Sequence, residues 1–302
     1  MGPKCWFPPS KCCWPSNGPQ ARIGYLSSMA AVGLPDLSSE FALAPGMPEQ
    51  FQRDGFVFLD QLCPQQELAP YTAVIEEVTM REAGELMPMA ERGTYAKAFI
   101  QIGNLWRKDE RVARFVLARR FGKVAADLLG VEGVRLYHDQ ALFKEPGGGP
   151  TPWHQDQFYW PLEGVKTITM WMPLVDVPPE MMGMTFAKGS HREGAYTSMA
   201  ISDESNQFYR DLIKEKGFEI VQIVGMKAGD ANFHAGWIIH GAPGNATDQM
   251  RAAMTVIYFE DGARISKPDH DNRQRDLEAW FPGQQPGDLA ASPLNPVVYS
   301  QN

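Results

Sequence analysis

The chain has 302 residues, 44% of them hydrophobic, and a formal net charge of −8. That length can bury a sizeable core, and the acidic balance, with signs mixed as in Arg107-Lys108-Asp109-Glu110-Arg111, excludes a basic stripe for nucleic acid or an anionic membrane. No apolar run reaches the roughly 18–20 residues of a bilayer span, and the four cysteines, three of them at Cys5, Cys12 and Cys13, suit neither a disulfide framework nor a four-cysteine zinc site, a distribution that fits a reducing, intracellular setting, cytoplasmic by default.

Residues 1–46 are rich in Pro, Gly and Ser and hold no acid before Asp36, so they read as a disordered extension or leader. They lack the apolar stretch of a secretory signal, and Trp6 stands where a myristoylation motif needs Ser or Thr. Organelle targeting by this segment stays open, as does a true start at Met29 or Met47. Ordered structure is expected from Met47, as one domain over 47–280. There Pro48-Glu49-Gln50-Phe51 opens a short helix that Gly55 ends before the apolar run Phe56-Val57-Phe58-Leu59. Leu68, Tyr71, Val74, Ile75 and Val78 recur at helical spacing, which predicts an amphipathic helix from Pro64 to about Glu82. Val112, Phe115, Val116, Ala125 and Leu128 predict a second helical region from Asp109 to Leu129, stopped by Gly130.

After Gly130 the pattern changes to short aromatic, Thr and Val runs broken by Pro and Gly, at about 133–145, 152–160, 165–177, 183–187, 219–226, 231–240 and 251–260. Seven such runs predict a sandwich, jelly roll or barrel, interrupted by a helix at about 203–216. The tail over 281–302 reads as irregular.

Chemistry concentrates in Trp153-His154-Gln155-Asp156-Gln157-Phe158-Tyr159-Trp160. On a strand, side chains at i and i+2 share a face roughly 6–7 Å apart, so His154 and Asp156 converge while Gln155 points away. One imidazole and one carboxylate leave a third ligand to be found, and two histidines with one carboxylate on one octahedral face describe the Fe(II) oxygenase triad. Candidates for the third are His234 and His240, both in Gly229-Asp230-Ala231-Asn232-Phe233-His234-Ala235-Gly236-Trp237-Ile238-Ile239-His240; Gly241, Pro243 and Gly244 place His240 at a strand end. Arg251 leads into the strand 252–259 as a permanently charged fork suited to a carboxylate. His138, Gln140 and Lys144 share one strand face, where Gln140 or Lys144 could meet a ligand or serve structure. His191 reads as a turn residue. Asn245-Ala246-Thr247 is a glycosylation sequon that a non-secreted protein leaves unused. Read alone, the same His/Asp/His set also suits a zinc hydrolase or a catalytically silent β-barrel binding protein.

These residues together resemble the phytanoyl-CoA dioxygenase family of Fe(II)/2-oxoglutarate oxygenases. The resemblance rests on His154-Gln155-Asp156 with its aromatic pair and Pro161, Gly183 with Gly189-Ser190-His191, Gly229-Asp230 ahead of His240-Gly241, and Asn245 with Arg251, over roughly Pro48 to Asp261. It implies a mainly β fold, a double-stranded β-helix of the jelly-roll, cupin-like kind, with an N-terminal helical region. It also implies iron held by His154, Asp156 and His240, the distal carboxylate of 2-oxoglutarate on Arg251, and Trp171 lining the co-substrate pocket. The implied reaction uses O2, releases succinate and CO2, and oxidises an unactivated C–H of a small, apolar or amphipathic molecule. Two positions depart from the family: Ala242 stands where Ser is common, and Met181-Met182 fill a turn where Asn often precedes the glycine. The sequence gives no signal for oligomeric state.

Overall fold

In the computed structural model, residues 33–92, 97–162 and 164–301 are described. Pro48 in its first turn sets the start of α1 (Met47–Asp54). Gly55 ends the helix in the left-handed region (φ 85°), and its N–H bonds the Phe51 carbonyl. A Cβ there would lie 2.4 Å from His191 Nδ1, so both the turn and the packing require glycine. β1 (Phe56–Leu59) follows, then α2 (Gln65–Ala83), which buries Leu68, Tyr71, Val74, Ile75 and Val78 as its periodicity requires. The helix expected over 109–129 is two, α3 (Glu110–Val116) and α4 (Arg119–Leu129), because Ala118 is extended between them. That break turns Arg120 into the core, where it bonds Glu67 Oε2 at 2.5 Å and the carbonyls of Leu62 and Ser39 at 3.2 and 3.1 Å.

The strands form two antiparallel sheets. The seven-stranded sheet runs β1, β8 (Ala231–Ala235), β5 (Thr167–Pro173), β10 (Arg251–Glu260), β3 (Gly133–Lys144), β11 (Val297–Ser300), with β2 (Ile100–Gly103) also on β3. The smaller sheet runs β4 (Thr151–His154), β9 (His240–Ala242), β6 (Thr185–Ala187), β7 (Ile220–Gln222). Together they make the double-stranded β-helix, mainly β with helices on the outside. The outer face of the large sheet, with Ile168, Met170, Phe233, Met254 and Val256, joins one core with the apolar faces of α2, α3 and α4. Its inner face alternates with the outer and is largely polar: His138, Gln140, Lys144, Thr169, Trp171, Asn232, His234, Arg251 and Thr255. Nine of the ten residues of β10 are nevertheless buried, since a central strand is covered on both sides.

Several sequence expectations change. The run 152–160 is a strand only to His154 and then a tight turn at Asp156–Phe158. The run 231–240 divides into β8 and β9, which belong to different sheets, with Gly236–Ile239 crossing between them. Ordered packing starts before Met47: Leu37 is buried in the helical core, and Tyr71 donates to the Pro35 carbonyl at 2.6 Å. Residues 1–32, most of the expected extension, lie outside the described residues. The tail is not simply irregular either. Phe281, Leu294 and Tyr299 are buried, and Val297–Ser300 add to the edge of β3, with Tyr299 opposite Val134. Ahead of the tail, α6 (Asp271–Trp280) packs beside the Asp156–Phe158 turn and β3: Arg273 Nε donates to the Phe158 carbonyl at 3.2 Å, His270 stacks on Phe158, and Tyr137 donates to Asp276 at 2.7 Å. Among the described residues, no helix is long and apolar enough to cross a membrane.

Candidate metal centre and co-substrate pocket

β4 and β9 are neighbours with His154 directly opposite His240, so the two imidazoles lie side by side, ring centroids 4.1 Å apart. Beyond His154 the backbone stays extended for one more residue (Gln155 φ −122°, ψ 125°), which brings Asp156 back to the same side before the turn begins. The convergence expected of a strand is therefore kept although the strand has ended. Asp156 Oδ1 lies 3.3 Å from His154 Nε2 and 3.6 Å from His240 Nε2, and one donor atom from each of the three residues lies within 4.8 Å of the others. Nδ1 of His154 donates to the Pro152 carbonyl at 2.8 Å, and Nδ1 of His240 to that of Ile238 at 3.1 Å. Carbonyls accept only, so each Nε2 turns a lone pair toward the shared point. Two lone pairs and a carboxylate facing one another suit a cation. Burial holds the His240 imidazole well below its ordinary value, which keeps the ring neutral and its lone pair available to a cation.

Gln155 points away, as expected. Its amide donates to the carbonyls of Gly194 (2.8 Å) and Trp237 (2.5 Å), and its oxygen accepts from Tyr196 N–H and Tyr209 O–H. Tyr209 lies on α5 (Asp203–Lys216), whose Asn206 also accepts from Trp153 N–H at 3.0 Å. The motif is thus pinned from behind.

Arg251 opens β10 directly opposite Lys144 on β3. Both are buried. Arg251 donates to the Met182 carbonyl, Lys144 donates to the Gly149 carbonyl and lies over the Phe99 ring, and no carboxylate among the described residues pairs with either. Burial lowers the Arg251 guanidinium to about 10; burial and the neighbouring Arg251 lower the Lys144 ammonium to about 7. Two adjacent cations without a counterion suit a dianion such as a dicarboxylate. The Met182 carbonyl is aimed by a backbone with φ 60°, a conformation Asn tolerates better than Met, so the Met at that turn is the strained choice. Trp171 is buried on the same inner face, packed with Phe186 and Ala253. Gln140 accepts from Gln101 at 3.0 Å.

His234, the other candidate for the third ligand, faces the centre, with Nε2 3.5 Å from Asp156 Oδ2. Thr169 and Asn232 escaped the sequence reading. Thr169 donates to Asp156 Oδ2 at 3.1 Å, and its only signal was its place two residues before Trp171 on one strand face. His191 bonds the Gln52 carbonyl and lies away from the centre.

A double-stranded β-helix carrying this donor set and a buried cation pair defines the class of 2-oxoglutarate-dependent non-haem iron dioxygenases. The chain belongs to the phytanoyl-CoA dioxygenase (PhyH) family, whose pattern matches residues 51–253. It is similar to a probable alpha-ketoglutarate-dependent hypophosphite dioxygenase of Stutzerimonas stutzeri, 20% identical, covering 68% of this chain and 74% of that one. The ectoine dioxygenase of Stutzerimonas stutzeri strain A1501 is 22% identical over 77% and 82% of the two chains. Among solved structures, the non-heme alpha ketoglutarate dependent carbocyclase SnoK from nogalamycin biosynthesis superposes with a TM-score of 0.70 and 25% identity, covering 88% of this chain and all of that one.

Proposed function

We propose that His154, Asp156 and His240 hold the iron, that Arg251 and Lys144 bind the distal carboxylate of 2-oxoglutarate, and that Trp171 and Gln140 line the co-substrate pocket. The bound iron and 2-oxoglutarate would supply the oxidising power from O2; the chain orients them and excludes water. The observation that carries this reading is the buried Arg251, held on the inner face of the large sheet with no carboxylate among the described residues paired to it. A zinc hydrolase on the same triad would leave that charge without a role. The substrate we infer is a small, apolar or amphipathic molecule with an unactivated C–H, hydroxylated or otherwise oxidised. The relatives are named for ectoine, hypophosphite and nogalamycin chemistry, so they support the reaction type rather than one substrate. A CoA thioester fits less well, because the acidic sequence offers no Lys/Arg cluster for its phosphates.

Anaerobic reconstitution with Fe(II) followed by 2-oxoglutarate tests this. The weak visible charge-transfer band of the chelate is expected in the wild type and is weakened in Arg251→Ala. An iron-loaded wild type that gives no band refutes the reading.

A further inference from the structure

Asp156 has two carboxylate oxygens, and the structure treats them differently. Oδ1 faces His154 and His240, whereas Oδ2 faces the floor of the barrel, where Thr169 Oγ1 donates to it at 3.1 Å and His234 Nε2 lies 3.5 Å away. Thr169 and His234 are direct cross-strand partners on β5 and β8, and Asn232 stands two residues from His234 on the same face. His234 is 1% exposed, and among the described residues its Nε2 has no hydrogen-bond partner nearer than Asp156. A buried ring nitrogen requires a partner. Its other nitrogen, Nδ1, lies 3.0 Å from Asn232 Oδ1, while Asn232 Nδ2 donates to the Met184 sulfur at 3.6 Å, a weak acceptor, so the amide can turn over and exchange oxygen and N–H at little cost. With the Asn232 N–H turned toward Nδ1, the single hydrogen of a neutral His234 ring lies on Nε2 and points at Oδ2. The opposite arrangement would set a lone pair against a carboxylate.

Resting on the reading of Asp156 as a metal ligand, we propose that Asn232, His234 and Thr169 form a brace that occupies Oδ2, so that Asp156 meets the metal through Oδ1 alone. His234 lies outside the group of three converging donors, so it acts through Asp156 as a positioning residue. The brace has a consequence for the count of ligands. Two imidazoles and one carboxylate oxygen would leave a bound metal more room for other ligands than a carboxylate that used both its oxygens. Fixing the carboxylate also fixes the metal, and outer partners of this kind typically change affinity about 10–100-fold when removed.

The test is titration of metal-free protein with Co(II), read by its visible ligand-field absorption, with near-ultraviolet circular dichroism confirming that each metal-free variant is folded. His234→Leu and Thr169→Val are expected to weaken Co(II) binding about 10–100-fold and change the band shape. His234→Gln, which returns an N–H near the Nε2 position, and Thr169→Ser are expected to stay within a few-fold of wild type. Should His234→Leu fail to fold, the His234→Gln and Thr169 variants decide. Leu and Val variants that bind like wild type, or Gln and Ser variants that lose as much as Leu and Val, overturn the brace while leaving the metal centre intact. Wild-type protein that does not bind Co(II) overturns the metal reading and the brace with it.

Discussion

At one end of the barrel interior a carboxylate sits among imidazoles and a hydroxyl, on short strands and a tight turn; at the other, two cations lie side by side on the longest strands with no carboxylate among the described residues to balance them. The difference matches what the proposed function asks of each end. A metal ion needs ligand atoms aimed at a point, so the first end spends its hydrogen bonds on aiming: Pro152 and Ile238 carbonyls for the histidines, Thr169 and His234 for the carboxylate. A dicarboxylate would need charge at the right depth, and on the proposed function the second end keeps its charge uncompensated until such a ligand arrives.

Arg251→Met probes this contrast most strongly. Truncating one partner of a buried charge pair costs about 2–5 kcal/mol, roughly 30- to 4,000-fold in the 2-oxoglutarate Kd. The ligand-free protein should respond the other way, because an unpaired buried charge gives way to an apolar chain. Calorimetry is expected to show weaker co-substrate binding together with an unchanged or raised Tm; a large fall in Tm would mean that Arg251 is structural and the cation end is not waiting for a ligand.

A smaller effect is expected from Lys144→Met. Lys144 titrates at about 7 rather than near its usual 10.5, so it is charged below that pH and neutral above it. Its attraction for a dianion is therefore fully present at low pH and lost as pH rises through 7. The wild-type 2-oxoglutarate Kd, measured anaerobically with Fe(II) between about pH 6.5 and 8.5, should rise by about tenfold from this cause, taking about 1.5 kcal/mol, the low end for a charged hydrogen bond. Lys144→Met should flatten the curve at the weaker value. An equal slope in the variant would assign the pH dependence elsewhere.

The smallest expected change is a gain. Ala242 ends β9 two residues after His240, where related sequences often carry Ser. Ala242→Ser restores one neutral hydroxyl, and a net hydrogen bond of about 0.5–1.5 kcal/mol corresponds to roughly two- to tenfold tighter co-substrate. No gain would place the carboxylate out of reach of β9.

The sequence made the metal end legible because its chemistry is local: His154 and Asp156 are two residues apart, and Gln155 between them stays extended. His240 could be chosen over His234 by its strand-end glycines, yet the sequence could not show that both histidines face one point, because the chain changes sheets at Gly236–Ile239 between them. Arg251 announced itself by its position ahead of a strand. Thr169 and Asn232 did not, since a Thr or Asn on a strand has many uses and only the register of β5 against β8 brings them under Asp156. The fold followed the same division. Alternation and turn residues gave the strands of the barrel, while β2 and β11 were missed because four-residue edge strands carry little pattern, and α6 because its face buries chiefly Arg273 and Leu277.

The seating of α6 links the C-terminal segment to the turn that carries Asp156. Arg273 holds the Phe158 carbonyl and His270 lies flat on the Phe158 ring, two residues beyond Asp156, while Tyr137 fastens the same helix to β3. A helix so anchored takes its local opening equilibrium from the turn beneath it. Its amide protons become reporters of the loaded state: ions that quiet the turn should slow deuterium uptake over Asp271–Trp280, making this far segment of the chain a gauge of what the barrel holds.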